Sequence, residues 1–323
     1  MKFLKALKKI ETEQPSAISA EEVLNRSENN DQSNGHSESI LNKADLKIGA
    51  PITGARDSTL ERREAESPED AIEASSVALK PAMNLVGLPD FSVDPARVNP
   101  HLVAITHPNT AFSEEYRSLR TQLMHLSQRS VLQSIVVASA GPGEGKSVTA
   151  LNLSWLLAQT EGNRILLIDG DLRMPSLANY LGFETENGLS QVLAGALSFN
   201  ESIIKLQPAG LYLVPGGRTR DDVAEMISGP RLGEILEEAR PVFDYVIIDA
   251  PPLGVFSDAA ILINNSDGAL LVVRADHTRY KDIERTLESL PREKMLGVVL
   301  NQSEDVLLGN SYYDYPYARA YLS

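Results

Sequence analysis

The sequence predicts an α/β domain on a doubly wound, mostly parallel sheet over roughly its C-terminal two thirds. Three observations predict it. Six apolar runs follow one another from residue 134 onward: SIVVAS, RILLID, LYLVPG, YVIIDAP, GALLVVRA and MLGVVLN. Each run is continuous rather than alternating, which implies burial on both faces of a sheet. Stretches of helical periodicity lie between the runs, as parallel crossovers require.

The expected strands are 134–139, 164–169, 211–216, 245–251, 268–275 and 295–301, and the expected helices are 147–159, 188–196, 221–239, 257–263 and 279–290. Trp155, on the first of these helices among Leu151, Leu156 and Leu157, reads as core packing. Upstream the composition changes. Residues 1–100 hold 12 Lys and Arg against 17 Asp and Glu, with polar clusters such as NRSENNDQSNGHSES and ERREAESPEDAIEASS. Such stretches bury too little apolar surface to offset the entropy of ordering, so 11–95 is expected to be a disordered or loosely helical linker. The start, MKFLKALKKI, differs. Phe3, Leu4, Leu7 and Ile10 fall at helical spacing, and Lys2, Lys5, Lys8 and Lys9 fill the other faces. A basic amphipathic segment of this kind suits an anionic membrane surface or a partner protein. The expected organisation is a linker region over 1–95, a catalytic domain over 96–308 and a tail over 309–323.

Composition excludes several function classes. The 323 residues carry 30 Lys and Arg against 44 Asp and Glu, a net charge of −14. That balance argues against a general nucleic-acid binder, which needs a concentrated basic surface. Cysteine is absent, which excludes a disulfide scaffold, a thiol nucleophile and a Cys-ligated metal centre. No apolar run reaches the roughly 18 residues that span a bilayer. The N-terminus lacks the apolar core of a secretory signal. The expectation is a cytoplasmic protein.

The first strand runs into ASAGPGEGKS, where Ala140 opens a P-loop spacing usually begun by Gly. Gly141, Pro142, Gly143, Glu144, Gly145, Lys146, Ser147 and Val148 are the candidate phosphate-binding residues. Glycines let backbone N–H groups turn around phosphates. Lysine supplies charge to the β- and γ-phosphates, and the serine hydroxyl suits Mg²⁺. The following helix adds its positive end. The second strand closes on ILLIDGDLR, which places Asp169, Asp171 and Arg173 at the crevice end of an open sheet. A later strand closes on YVIIDAPP with Asp249, a Walker B acid in position. Each acid alone reads equally as a solvated strand end. In this order, with Lys146, they indicate a Mg-dependent purine-nucleotide phosphohydrolase or phosphotransferase.

The set ASAGPGEGKS, LLIDGDLR and VIIDAPP resembles the bacterial tyrosine kinases (BY-kinases) of capsule and exopolysaccharide systems, over about residues 98–323. The resemblance implies a P-loop NTPase fold of the deviant Walker A type and a protein-tyrosine autokinase using ATP and Mg²⁺. Lys146, Asp169, Asp171 and Asp249 would be catalytic, Ser147, Asp171 and Asp249 would hold the metal, and Arg173 would join the nucleotide-binding set. Which of Asp169 and Asp171 is the base stays open. EEYRSLR carries Glu114, Arg117 and Arg120 in the family's ExxRxxR element, which implies ring-like self-association; weakly paired surface charges are the bland alternative. Five of the ten tyrosines, Tyr312, Tyr313, Tyr315, Tyr317 and Tyr321, fall in the last 12 residues, which implies a cluster phosphorylated in trans. Each phosphate would add about −1.5 to −2 charge, so that crowding favours ring disassembly. The implied partners are a membrane chain-length-determinant (Wzz-like) activator and a cognate tyrosine phosphatase, with no nucleic acid and with recruitment to the inner face of the membrane. After LYLVPGG the chain departs from the usual pattern with RTRDDVAEMI. That leaves roles for Arg218 and Arg220 open and is similar to the exosortase-linked autokinase branch. Two rivals share the fold: a Min/Par-type positioning ATPase, which carries a second lysine where this chain has Gly141, and a nucleotide-sensing scaffold without kinase activity.

Overall fold

The computed structural model describes residues 83–288 and 290–303. The basic start, most of the linker and the tyrosine-rich tail lie outside the described residues. The chain first forms β1 (Asp90–Ser92), α1 (Val103–Thr106), α2 (Ala111–Ser127), β2 (Ser134–Ser139), α3 (Lys146–Ala158) and β3 (Ile165–Asp169). Then come α4 (Leu177–Tyr180), α5 (Leu189–Leu193), β4 (Ile204–Gln207), β5 (Leu211–Val214), α6 (Val223–Ser228) and α7 (Pro230–Ala239). The last elements are β6 (Tyr245–Asp249), α8 (Asp258–Asn265), β7 (Gly268–Arg274), α9 (Tyr280–Glu288) and β8 (Met295–Asn301).

The eight strands lie in the order β1-β4-β5-β3-β6-β2-β7-β8. From β5 to β8 every neighbouring pair is parallel. The β4–β5 pair is antiparallel, and β1 runs parallel to β4 at the edge. The sheet is the doubly wound one the sequence predicts. All residues of β2, β3 and β6 are buried, and alternation divides them between two cores. Ile135, Val137, Ile165, Leu167 and Ile247 join the core that holds Leu151, Leu153, Trp155 and Leu157 of α3. Val136, Leu166, Ile168, Val246 and Ile248 join the core under α6, α7 and α8. Period-2 geometry makes continuous apolar strands necessary when both faces are covered. Truncating one such residue, for example Leu167→Ala, removes about 2–5 kcal/mol of stability.

Three expectations need correction. β1 falls inside the stretch assigned to the linker, because three residues, Asp90–Ser92, suffice to pair with Lys205–Gln207. The single helix expected over 221–239 is two, because Gly229 and Pro230 interrupt it and Pro230 starts α7; proline lacks the N–H that a continuous helix would use there. The short β4 was not expected at all. Among the described residues no helix is long and apolar enough to cross a membrane.

Candidate active site

Three strand tips converge. β3 ends at Asp169 and β6 at Asp249, and these two are register partners on adjacent strands. β2 ends at Ser139, beside β6, and leads directly into the loop 140–145 before α3. Gly145 is left-handed, with φ +93°, and a Cβ there would fall 2.1 Å from Asn301 Nδ2. The left-handed conformation calls for glycine at this position, and a side chain there would displace the Asn301 amide. Gly170 is demanded by approach alone, since its Cβ would lie 2.8 Å from the Asp249 carbonyl oxygen. The glycine between the two acids therefore lets β3 and β6 run together up to the site.

Lys146 is the hub. Its Nζ donates to Asp171 Oδ2 at 3.0 Å and to Ser147 Oγ at 3.1 Å, and lies 3.9 Å from Asp249 Oδ1. Burial alone would lower the ammonium pKa, but the charges of Asp249 and Asp171 outweigh it and hold it above its ordinary value. Asp249 is fully buried, and neither of its carboxylate oxygens has a hydrogen-bond partner. Burial pushes it up to about 6, with the Lys146 charge and the neighbouring Ser147 hydroxyl pulling the other way.

The geometry separates the two acids that spacing left equivalent. Asp169 accepts the N–H of Asp171 at 3.3 Å on Oδ1 and those of Ser176 and Leu177, at 3.0 Å each, on Oδ2. Leu177 is the first residue of α4, so Asp169 anchors the start of that helix and the loop before it. Burial and the neighbouring Asp249 charge push Asp169 up to about 7 against those N–H groups. Asp171 instead offers Oδ2 to Lys146 and accepts the Met174 N–H at 3.2 Å on Oδ1.

Arg173 makes its polar contacts with α8. It forms a two-pronged pair with the buried Asp258, 2.6 Å from Nε and 3.2 Å from Nη2, and stacks 4.4 Å over the Phe256 ring. It clamps the loop after β3 to the start of α8. Glu144 is buried within the loop, where it accepts the Gly141 N–H at 3.0 Å. Pro142 and Gly143 are exposed at the loop tip, and Val148 is half-buried on α3. Two residues that sequence reasoning passed over brace this loop. The Thr278 hydroxyl donates to Glu144 Oε1, and Asn301 Nδ2 donates to the Glu144 carbonyl at 2.9 Å. Their signal was positional, since Asn301 closes β8 and Thr278 follows β7, both strand ends beside the loop.

The ExxRxxR residues lie on α2. Arg117 pairs with Glu114 at 2.8 Å and donates to the Pro108 carbonyl at 2.7 Å, and Arg120 donates to the Leu156 carbonyl at 3.2 Å. Arg218 pairs with Glu186, and Arg220 with Asp222, all at the surface.

This arrangement can be compared with known proteins. A family model described as an AAA domain matches residues 132–292. The chain is 34% identical over 208 residues to the tyrosine-protein kinase YwqD of Bacillus subtilis, covering 64% of this chain and 87% of that one. The chain belongs to the bacterial tyrosine kinase family. It is also 33% identical over 224 residues to the succinoglycan biosynthesis transport protein ExoP of Rhizobium meliloti, which covers 68% of this chain but only 28% of ExoP. Among solved structures, the kinase domain of the Escherichia coli tyrosine kinase ETK superposes with a TM-score of 0.60 at 28% identity, covering 64% of this chain and 80% of that one. The match to ETK and the mostly parallel sheet place the chain in the P-loop NTPase fold.

Proposed function

We propose that this chain is a protein-tyrosine autokinase, dependent on ATP and Mg²⁺, that phosphorylates the tyrosine cluster of a neighbouring copy and so regulates exopolysaccharide polymerisation and export. The observation that carries the reading is the meeting of Lys146, Ser147, Asp171 and Asp249 at the head of α3. These residues fit a magnesium nucleotide. A wholly buried carboxylate without a hydrogen-bond partner, with the Lys146 ammonium 3.9 Å from one oxygen, is only partly compensated, and a divalent cation would complete it. Carboxylate and hydroxyl oxygens are the hard donors Mg²⁺ prefers.

Magnesium ATP, when bound, supplies the phosphoryl group and neutralises charge on it. Asp249, Asp171 and Ser147 would hold the metal. Gly141 to Val148 would enclose the phosphates, with the positive end of α3 behind them. Lys146 places a fixed ammonium where negative charge develops. Asp171, held by Lys146, is assigned to orient the incoming phenol and take its proton, since a phenol with a pKa near 10 needs a base. Asp169, with its oxygens committed to three N–H groups, keeps Asp171 in place. Arg173 acts likewise, through Asp258.

The rest of the reading rests on sequence and relatives. The domain assignment is 1–95 as linker, 96–308 as kinase with its fold beginning before that boundary, and 309–323 as substrate tail carrying Tyr312, Tyr313, Tyr315, Tyr317 and Tyr321. Glu114, Arg117 and Arg120 would mediate ring formation. A membrane activator of the chain-length-determinant class and a tyrosine phosphatase would set the phosphorylation level at the inner face of the membrane. The test is incubation of the full chain with Mg-ATP and mapping of phosphate by mass spectrometry, beside Lys146→Met and a chain truncated before Ser311. Phosphotyrosine confined to the tail and absent from Lys146→Met is expected. ATP hydrolysis without phosphotyrosine, even with the membrane activator present, would instead support a positioning ATPase.

A further inference from the structure

Five of the ten tyrosines fall among the described residues: Tyr116, Tyr180, Tyr212, Tyr245 and Tyr280. Tyr212 and Tyr245 are buried, and Tyr116 and Tyr180 are half-buried. Tyr280 stands apart, with 48% of its surface exposed. Its hydroxyl has no hydrogen-bond partner among the described residues. It is the first residue of α9, a helix of nine residues, and the exposed Arg279 and Lys281 flank it. Asp282 lies one residue further on, but Arg279 already pairs with it at 3.1 Å. Both partners of that pair are mostly in solvent, so it is weak and leaves the guanidinium open to a stronger anion.

Tyr280 is tied to the P-loop but stands away from the base of its own chain. Two residues earlier, the Thr278 hydroxyl accepts the Arg274 N–H at 3.0 Å and donates to Glu144 of the P-loop. Asp171 follows β3, whereas Tyr280 follows β7, three steps along the strand order β3-β6-β2-β7. Three steps are about 14 Å, more than a tyrosine side chain spans. Ile283 and Leu287 pack α9 against Leu271, Val273 and Val298 of β7 and β8. With α9 held there, the phenol of Tyr280 is presented to solvent and to other copies, and not to its own Asp171.

We propose that Tyr280 is a further acceptor, phosphorylated by a second copy, and that its phosphate steadies the turn that braces the P-loop. The proposal rests on the kinase reading and adds a site outside the tyrosine-rich tail. The phenolic oxygen attacks the γ-phosphorus of the other copy's ATP. The bond to the β-phosphate oxygen breaks, ADP leaves, and the phenolic proton passes to that copy's Asp171. The new phosphate carries about −1.5 to −2 charge and stands at the positive end of α9 between Arg279 and Lys281. Anchoring the start of α9 also anchors Thr278, and through it Glu144.

The test separates kinase from acceptor. An isotope-labelled full chain carrying Lys146→Met, with its five tail tyrosines changed to Phe, serves as acceptor. It gains phosphate only from unlabelled wild-type kinase and only outside the tail. Mass spectrometry should place that phosphate on Tyr280, and Tyr280→Phe, which removes only an unpartnered hydroxyl, should abolish it. Calorimetric titration of a non-hydrolysable ATP analogue then compares wild type with Tyr280→Phe, each first incubated with Mg-ATP. Wild type should bind about 2- to 5-fold more tightly, the scale of an anion at a helix N-terminus. After treatment with a tyrosine phosphatase the two should bind alike. Phosphotyrosine on the kinase but none on the labelled chain overturns the acceptor and leaves the kinase reading standing. Phosphate spread equally over Tyr116, Tyr180, Tyr212 and Tyr245 overturns Tyr280 as the selected site. Phosphate on Tyr280 with no change in affinity overturns the effect on the brace. No phosphotyrosine on either chain overturns the kinase reading as well.

Discussion

Asp249 and Asp267 sit at opposite strand ends of the same sheet, one closing β6 and the other preceding β7, and are treated in opposite ways. Asp267 precedes β7 and is saturated. It accepts the N–H groups of Gln133 and Ser134 at 3.0 and 2.8 Å, and the Arg240 guanidinium grips both of its oxygens at 3.2 and 2.9 Å. Burial pushes its pKa up, but Arg240 and those N–H groups outweigh burial and hold it at about 2. Asp249 closes β6 at the opposite strand end, has no hydrogen-bond partner beside the Lys146 ammonium 3.9 Å away, and is pushed up by burial to about 6. A carboxylate that serves the fold is completed by the fold. One left incomplete in a fully buried place is kept open for something that arrives, and it destabilises the free protein meanwhile.

The comparison breaks first at activity. Asp249→Asn should lower autophosphorylation by about 10²- to 10³-fold, the scale of removing one preorganised electrostatic group. Asp267→Asn should leave activity per folded molecule within about twofold, since Asp267 contacts nothing at the site. Initial rates of phosphotyrosine formation at saturating Mg-ATP check both. Stability should move the other way. Asp267→Asn removes the two-pronged partner of Arg240, leaving it the more exposed Glu237, and should cost about 1–3 kcal/mol in urea unfolding.

The pH dependence sharpens the contrast. Asp249 and Asp169 are raised in the folded state, so the folded protein binds more protons than the unfolded one between about pH 4 and their folded values near 6 and 7. Stability from these groups is therefore present below about pH 4 and is lost as pH rises through 6 to 7. Asp249→Asn should stabilise the nucleotide-free protein by about 1–2 kcal/mol at pH 8, and the gain should shrink toward zero near pH 4. Asp267 is depressed, so its contribution is present above about pH 4 and is lost as pH falls toward 2. Thermal unfolding of both variants across pH 4–8 measures these opposite slopes.

The smallest effect concerns the loop brace. Thr278→Val removes the hydroxyl that holds Glu144 and should raise the KM for ATP by about 3- to 10-fold with little change in kcat, the scale of one hydrogen bond to a charged group. Thr278→Ser should restore it. A change in kcat alone would place Thr278 outside the nucleotide site.

Much of this architecture is legible in the sequence because burial on both faces leaves a plain signature. The runs that became β2, β3, β5, β6 and β7 are largely apolar, and the acids that close β3 and β6 stand where the polar crevice begins; the edge strand β8 is less fully covered and leaves Leu300 exposed. β1 and β4 escaped because short strands at the sheet's far side need no long apolar run; Lys205 and Gln207 stay half-buried there. The P-loop and the three acids were readable as a set, but their division of labour was not. Asp169 and Asp171 have the same type and nearly the same place. Only the coordinates show that one accepts three backbone N–H groups while the other meets Lys146. The motif places Arg173 with the nucleotide set, and its pairing with the buried Asp258 could not be read there, because the partner lies 85 positions away, a distance that no local pattern spans.

The most direct measurement is calorimetric titration of a non-hydrolysable ATP analogue into the full chain with and without Mg²⁺, comparing wild type, Asp249→Asn and Asp267→Asn. If the incomplete carboxylate is kept for the metal, Mg²⁺ should tighten binding at least about 10-fold for wild type and Asp267→Asn, and should tighten it little for Asp249→Asn. An equal magnesium effect in all three proteins would contradict that assignment.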